Sequence, residues 1–124
     1  MSQIYTEVML ESINFENGKN NLVFRFYDEA DTEGSVLKCI NVICFNLSCG
    51  LLRYDEIFPC LIMEVVCKKI SDEKELINYL EKMNFGFRWN SEILPPECKS
   101  FWHIRLEGGP LFIDLISEEI QKNN

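Results

Sequence analysis

Two hairpin signals and one capped amphipathic segment in a chain of 124 residues predict an α+β fold, a mainly antiparallel sheet of about five to seven strands with one main helix packed on one face. The hairpin signals are Asn17-Gly18 and Gly108-Gly109, each flanked by apolar runs, and the helix signal starts at Ser71. The length suits a single domain over residues 1–124, which can bury a core without a metal or disulfide framework. Hydrophobic residues make up 47% and charged residues 26%, the balance of a folded chain rather than a disordered one.

Residues 4–15 alternate imperfectly and reach Asn17-Gly18, a pair suited to the positive φ angles of a tight hairpin turn. In a two-residue register Ile13 faces Leu22 and Met9 faces Phe26, so Met9, Ile13, Leu22, Phe24 and Phe26 share an apolar face on which Glu11 is the misfit. Residues 28–34, Asp-Glu-Ala-Asp-Thr-Glu-Gly, read as an exposed acidic loop. Residues 36–47 and 57–68 are apolar on both parities, as strands covered on both faces are, and are expected to be the central strands, joined by a turn around Gly50 and the exposed segment Arg53-Tyr54-Asp55-Glu56.

The helix signal combines Ser71 as N-cap, Asp72 and Glu73 at the positive end of the dipole, and Glu75, which can instead complete a capping box with Asp72. Leu76, Ile77, Leu80 and Met83 then recur on one face, and Gly86 marks the stop. Pro95-Pro96 excludes a central strand over 87–98. In the last hairpin a Gly108-Gly109 turn puts Trp102, Ile104, Leu106, Leu111, Ile113 and Leu115 on one face. Phe101, His103, Arg105, Phe112, Asp114 and Ile116 fall on the other, with His103 directly opposite Asp114.

The formal charge of −8 repels phosphate backbones and anionic membranes and favours a basic partner, so direct nucleic-acid binding is not expected. The amino terminus lacks the basic start and apolar core of a signal peptide, and the apolar stretch 57–66 is interrupted by Pro59 and Glu64. The expectation is a cytoplasmic protein without a membrane span. Six cysteines lie at 39, 44, 49, 60, 67 and 98. Four of them, Cys39, Cys44, Cys60 and Cys67, sit in strand-like apolar runs, where a reduced structural role is expected. Spacings of five between Cys39, Cys44 and Cys49 do not suit a zinc site, and no cofactor motif is present.

His103, Asp114 and Arg105 form the one constellation with catalytic potential. A carboxylate beside an imidazole can orient a general base, Arg105 can contact an anion, and Cys98 is a conceivable nucleophile. The plainer reading is an ordinary cross-strand pair on a half-solvated face. Acidic and aromatic residues in the predicted loops, namely Asp28, Glu29, Asp31, Glu33, Tyr54, Asp55 and Glu56, suit a contact surface for a basic protein, although such runs also occur simply as solvated surface.

An acidic chain of hairpins and one helix, ending in Phe101-Trp102-His103-Ile104 and Phe112-Ile113-Asp114-Leu115 around a glycine turn, resembles the immunity proteins of bacterial toxin systems. The resemblance implies a non-enzymatic protein that binds and neutralises a cognate toxin, basic nuclease domains among them. It assigns no contact residue. Two other readings stand beside it: a small enzyme or ligand-binding domain around His103, Asp114 and Arg105, and a structural or oligomerisation module pairing through a sheet edge. The sequence leaves the oligomeric state open.

Overall fold

Six strands with alternating buried and outward residues form one antiparallel sheet whose first and last members meet. The computed structural model describes residues 2–16, 18–28, 31–50, 58–82 and 100–123. The strands are β1 (Ser2–Phe15), β2 (Leu22–Asp28), β3 (Asp31–Ser48), β4 (Cys60–Ile70), β5 (Phe101–Gly108) and β6 (Leu111–Asn123), with a helix α1 (Glu73–Lys82) between β4 and β5. They close into a barrel in the order β1-β2-β3-β6-β5-β4. The fold is therefore a closed β-barrel, not the α+β sheet with a main helix expected from the sequence. Closure gives every described strand a neighbour on both sides, so none of them is an edge strand.

Alternate residues of each strand fill the interior, with the parity switching at irregularities of β1, β3 and β4. Leu10, Phe24, Leu37, Ile62, Ile104, Leu106, Ile113 and Leu115 are completely buried there. A six-stranded barrel is narrow enough for such side chains to fill it. The rings of Phe24 and Phe26 stack at 6.4 Å, and Tyr5 approaches Phe26 at 4.9 Å. Burying one phenylalanine of this kind contributes about 2–3 kcal/mol.

Curvature comes from bulges. In the β1–β2 hairpin Ile13 pairs with Phe24 and Leu10 with Phe26, and the register shifts between Leu10 and Ser12. Glu11, the misfit of the predicted register, is the extra residue, and its displacement puts Leu10 rather than Met9 into the core. The connection runs from Glu16 to Asn21 instead of turning on two residues, and Asn17 lies outside the described residues. Glu16 N–H donates to the Asn21 carbonyl at 3.0 Å, and Asn41 N–H to Asn21 Oδ1 at 3.0 Å. Asn41 has φ of 56°, a left-handed conformation that asparagine tolerates better than most residues, and the β3–β6 register shifts just beyond it, between Val42 and Cys44.

The two expected central strands are not neighbours: β3 pairs with β2 and β6, and β4 with β1 and β5. Their double-sided apolarity has a different cause. One face of each fills the barrel, while outward residues Cys44 of β3 and Ile70 of β4 join Phe101, Ile116 and Leu76 in a second core under α1. The helix thus covers a patch of the outer wall. Asp72 is its cap, with Oδ1 accepting from Lys74 N–H at 3.0 Å, the alternative to Ser71 that the capping-box pattern had offered. Residues 83–99, including Gly86 and Cys98, lie outside the described residues.

The acidic segment expected as a loop at 28–34 is largely strand, since Asp28 closes β2 and pairs with Asp31 at the start of β3. In the last hairpin Gly108 pairs with Leu111, so the turn is Gly109-Pro110, one residue later than expected. The register moves by two, which leaves every residue on its predicted face.

Candidate functional site

The outward parity of β5 and β6 carries His103 and Asp114 into the shadow of α1. His103 is 5% exposed, and its Nε2 lies 2.6 Å from Asp114 Oδ1. Straight across from His103 on β6 is Ile116, and Asp114 stands straight across from Arg105. The imidazole reaches the carboxylate along the diagonal, within range for a long side chain. With the Asp114 carboxylate as acceptor, Nε2–H is the donor.

Arg105 shares the face but takes no part in the pair. Its guanidinium donates to Glu107 Oε2 at 3.2 Å and rests over the Phe112 ring at 5.8 Å. The structure therefore joins two of the three residues of the predicted constellation and directs the third elsewhere.

Above His103 lies Tyr79 of α1, ring to ring at 4.5 Å and 35°. Lys68, straight across from His103 on β4, forms an ion pair with Glu75 and donates to Tyr79 Oη at 3.3 Å. The Glu75 carboxylate and then the Tyr79 hydroxyl hold the Lys68 ammonium above its ordinary pKa. Tyr79 and Lys68 escaped the sequence reading, and Glu75 entered it only as a capping residue. The available signal was helical spacing: Tyr79 follows Leu76 by three and Glu75 by four, which aligns all three along one side of α1.

This arrangement fastens a helix to a barrel. The imidazole is enclosed by Tyr79, Asp114 and the barrel wall, and its Nδ1 is buried with no hydrogen-bond partner among the described residues. A general base needs its proton acceptor within reach of a substrate, and this imidazole faces the underside of a helix. Cys44 lies in the same layer, its thiol pushed up to about 12 by burial and further by Asp114, which suppresses the nucleophilic thiolate. Cys39 and Cys67 face the barrel core, where burial raises both thiols. Among the described residues, no three of His, Cys, Asp and Glu are grouped to hold a metal.

Of the acidic surface candidates, Asp28 is exposed at the end of β2, and Asp31 and Glu33 have their backbone in β3. Glu29, Tyr54, Asp55 and Glu56 lie outside the described residues. Among the described residues, no helix is long and apolar enough to cross a membrane.

Residues 3–124 match the model of an uncharacterised family described only as "-like". No curated protein matches the chain. A crystal structure of an uncharacterised protein from Neisseria gonorrhoeae is similar at a TM-score of 0.64 and 18% identity, covering 99% of this chain and 96% of that one. At that identity the likeness extends to the barrel fold alone.

Proposed function

The chain belongs to that "-like" family through a match over residues 3–124, and from its charge and fold we propose that it is a non-enzymatic, cytoplasmic protein-binding barrel that engages a basic protein. A toxin domain neutralised by the contact is the partner class that the resemblance to immunity proteins implies. The observation that carries the reading is a formal charge of −8 on a closed barrel whose inward positions are occupied by side chains. Such a molecule meets its partners with its outer wall, and its field accelerates encounter with positive surfaces and disfavours nucleic acid.

The enzymatic alternative around His103, Arg105 and Asp114 has less support, because His103 lies beneath Tyr79 and Arg105 is turned to Glu107. Co-expression with the product of an adjacent toxin-like reading frame tests the proposal. Rescue of growth, with an association rate that falls as salt rises, is the expected result. Undiminished toxicity in the presence of folded protein would remove the toxin reading.

A further inference from the structure

An apolar row crosses the barrel wall on the side away from β6. Tyr27 of β2 pairs with Met9 of β1, and Met9 pairs with Leu61 of β4. Cross-strand partners share a face, and the neighbours Phe26, Leu10, Cys60 and Ile62 all point inward, so these three side chains lie side by side on the outside. Met63 extends the row along β4.

Leu61 and Met63 are 47% and 46% exposed, on a wall where the alternating pattern calls for polar residues. Their exposure has a structural origin. Ile62 and Val65 both face the core, so β4 changes parity between them and presents Met63 and Glu64 outward in succession. On β1 the same level carries Glu7 at a φ of 51°, a conformation that costs a non-glycine residue free energy.

The surroundings are acidic. Glu7 and Glu11 are exposed on β1, and Glu64 of β4 pairs with Glu107 of β5. Arg105 ties to Glu107, and Arg25, paired with Ser12, is an exposed cation two residues along β2 from Tyr27. An apolar centre with a polar rim is the anatomy of a protein interface, and here the rim carries predominantly one sign. Apposing it to a second copy would set acid against acid.

We propose that the row Tyr27–Met9–Leu61–Met63 is the docking face for a protein partner whose contact surface has an apolar centre ringed by lysine and arginine. This rests on the reading of the chain as a binder of basic proteins and places the contact on the β2–β1–β4 wall instead of the acidic segments at 28–33 and 54–56. The aliphatic and aromatic side chains supply the adhesive area, and Glu7, Glu11 and Glu64 set orientation and encounter rate.

The test is site-directed photo-crosslinking of the full chain in the cells it comes from. A photoreactive amino acid replaces Leu61 or, as a control on the strand across the barrel, Glu119 of β6. A protein crosslinked from position 61 is then purified and titrated with the unmodified chain and with a Leu61→Ser/Met63→Ser variant of unchanged melting temperature. The expected outcome is a basic protein crosslinked from 61 and not from 119, bound at least ~10-fold more weakly by the variant. Glu64→Gln should flatten the salt dependence of its association rate. A basic partner crosslinked only from 119, or bound equally by the variant, overturns this face and leaves the wider reading standing. Crosslinking from 61 to a second copy or to lipid also overturns it, and the absence of a basic protein from both positions overturns the wider reading with it.

Discussion

Asp114 stands straight across from Arg105, yet it is His103, two residues along the strand, whose Nε2 it holds at 2.6 Å. Burial decides between them: Arg105 can keep its guanidinium in solvent beside Glu107, whereas the enclosed imidazole needs an acceptor. Asp114→Ala leaves a buried donor unpaired and should cost about 1–3 kcal/mol. Arg105→Ala removes only a half-exposed pair and should cost about 0–1 kcal/mol. Urea unfolding of both variants measures the difference, and equal losses would contradict the assignment of His103–Asp114 as the buried fastening.

The pair Lys68–Glu75 gives that fastening an alkaline limit. Because the folded pKa of Lys68 is raised above its ordinary value of 10.5, its contribution to stability is fully present below that value and is lost as pH rises through the folded pKa. Unfolding midpoints between pH 9 and 12 should therefore fall less steeply in Lys68→Met than in the parent chain. Parallel curves would show that the ammonium contributes nothing to holding α1.

An acidic counterpart is the pair in which Glu16 binds Lys38 at 2.5 Å. The hydrogen bond from Lys38, followed by that from Asn21, lowers the Glu16 carboxyl below its ordinary 4.5. Its contribution is present above that value and is lost as pH falls through the folded pKa. Lys38→Met should flatten the acid limb of the stability profile below about pH 4.5, and an acid limb parallel to that of the parent chain would show that the pair contributes nothing.

Buried thiols report the two cores separately. At pH 8 Cys39, Cys44 and Cys67 should resist a thiol reagent, since burial raises all three. Leu76→Ala loosens α1 and should speed modification of Cys44, beneath the helix, leaving Cys39 and Cys67 inside the barrel at parental rates. Mass spectrometry of the labelled peptides distinguishes the sites. Simultaneous labelling of all three would mean that helix and barrel open as one unit.

At Gly108 an added Cβ would lie 2.7 Å from Ile62 Cα and closer still to the Leu61 carbonyl oxygen. Gly108→Ala should cost about 1–3 kcal/mol by forcing β4 away from β5. Gly18→Ala, where no atom lies within 4 Å but φ is 72°, should cost less, about 1 kcal/mol. Thermal unfolding of the two variants compares the effects.

What the sequence revealed follows from how local each feature is. The face assignments of residues 101–116 survive because strand parity is unchanged by a register shift of two. The helix start was legible to within one residue: Asp72 rather than Ser71 caps it, while Glu75 pairs with Lys68 instead of being seen in a capping box. Barrel closure was not legible, because it depends on β3 meeting β6 and β1 meeting β4, and no local pattern records such distant pairings. Glu11 was visible as an anomaly, but its resolution as a bulge required knowing that Leu10, not Met9, faces the core. At the site, a cross-strand rule located His103 and Asp114 on one face, whereas Tyr79 and Lys68 needed the helix to be laid over that face.

The β3–β6 seam also sets an order of events. On the side facing β6, residues 36–48 find their partners in 112–123, so during synthesis that border of β3 waits unpaired until β6 has been made, even where residues 36–39 already pair with β2. Completion of the fold is a late, long-range step of the slow kind expected for non-local strand pairing. A nascent chain halted within β6 would expose the β3 border to other chains, and substitutions in residues 112–123 should therefore lower soluble yield more than their effect on the finished barrel's stability accounts for.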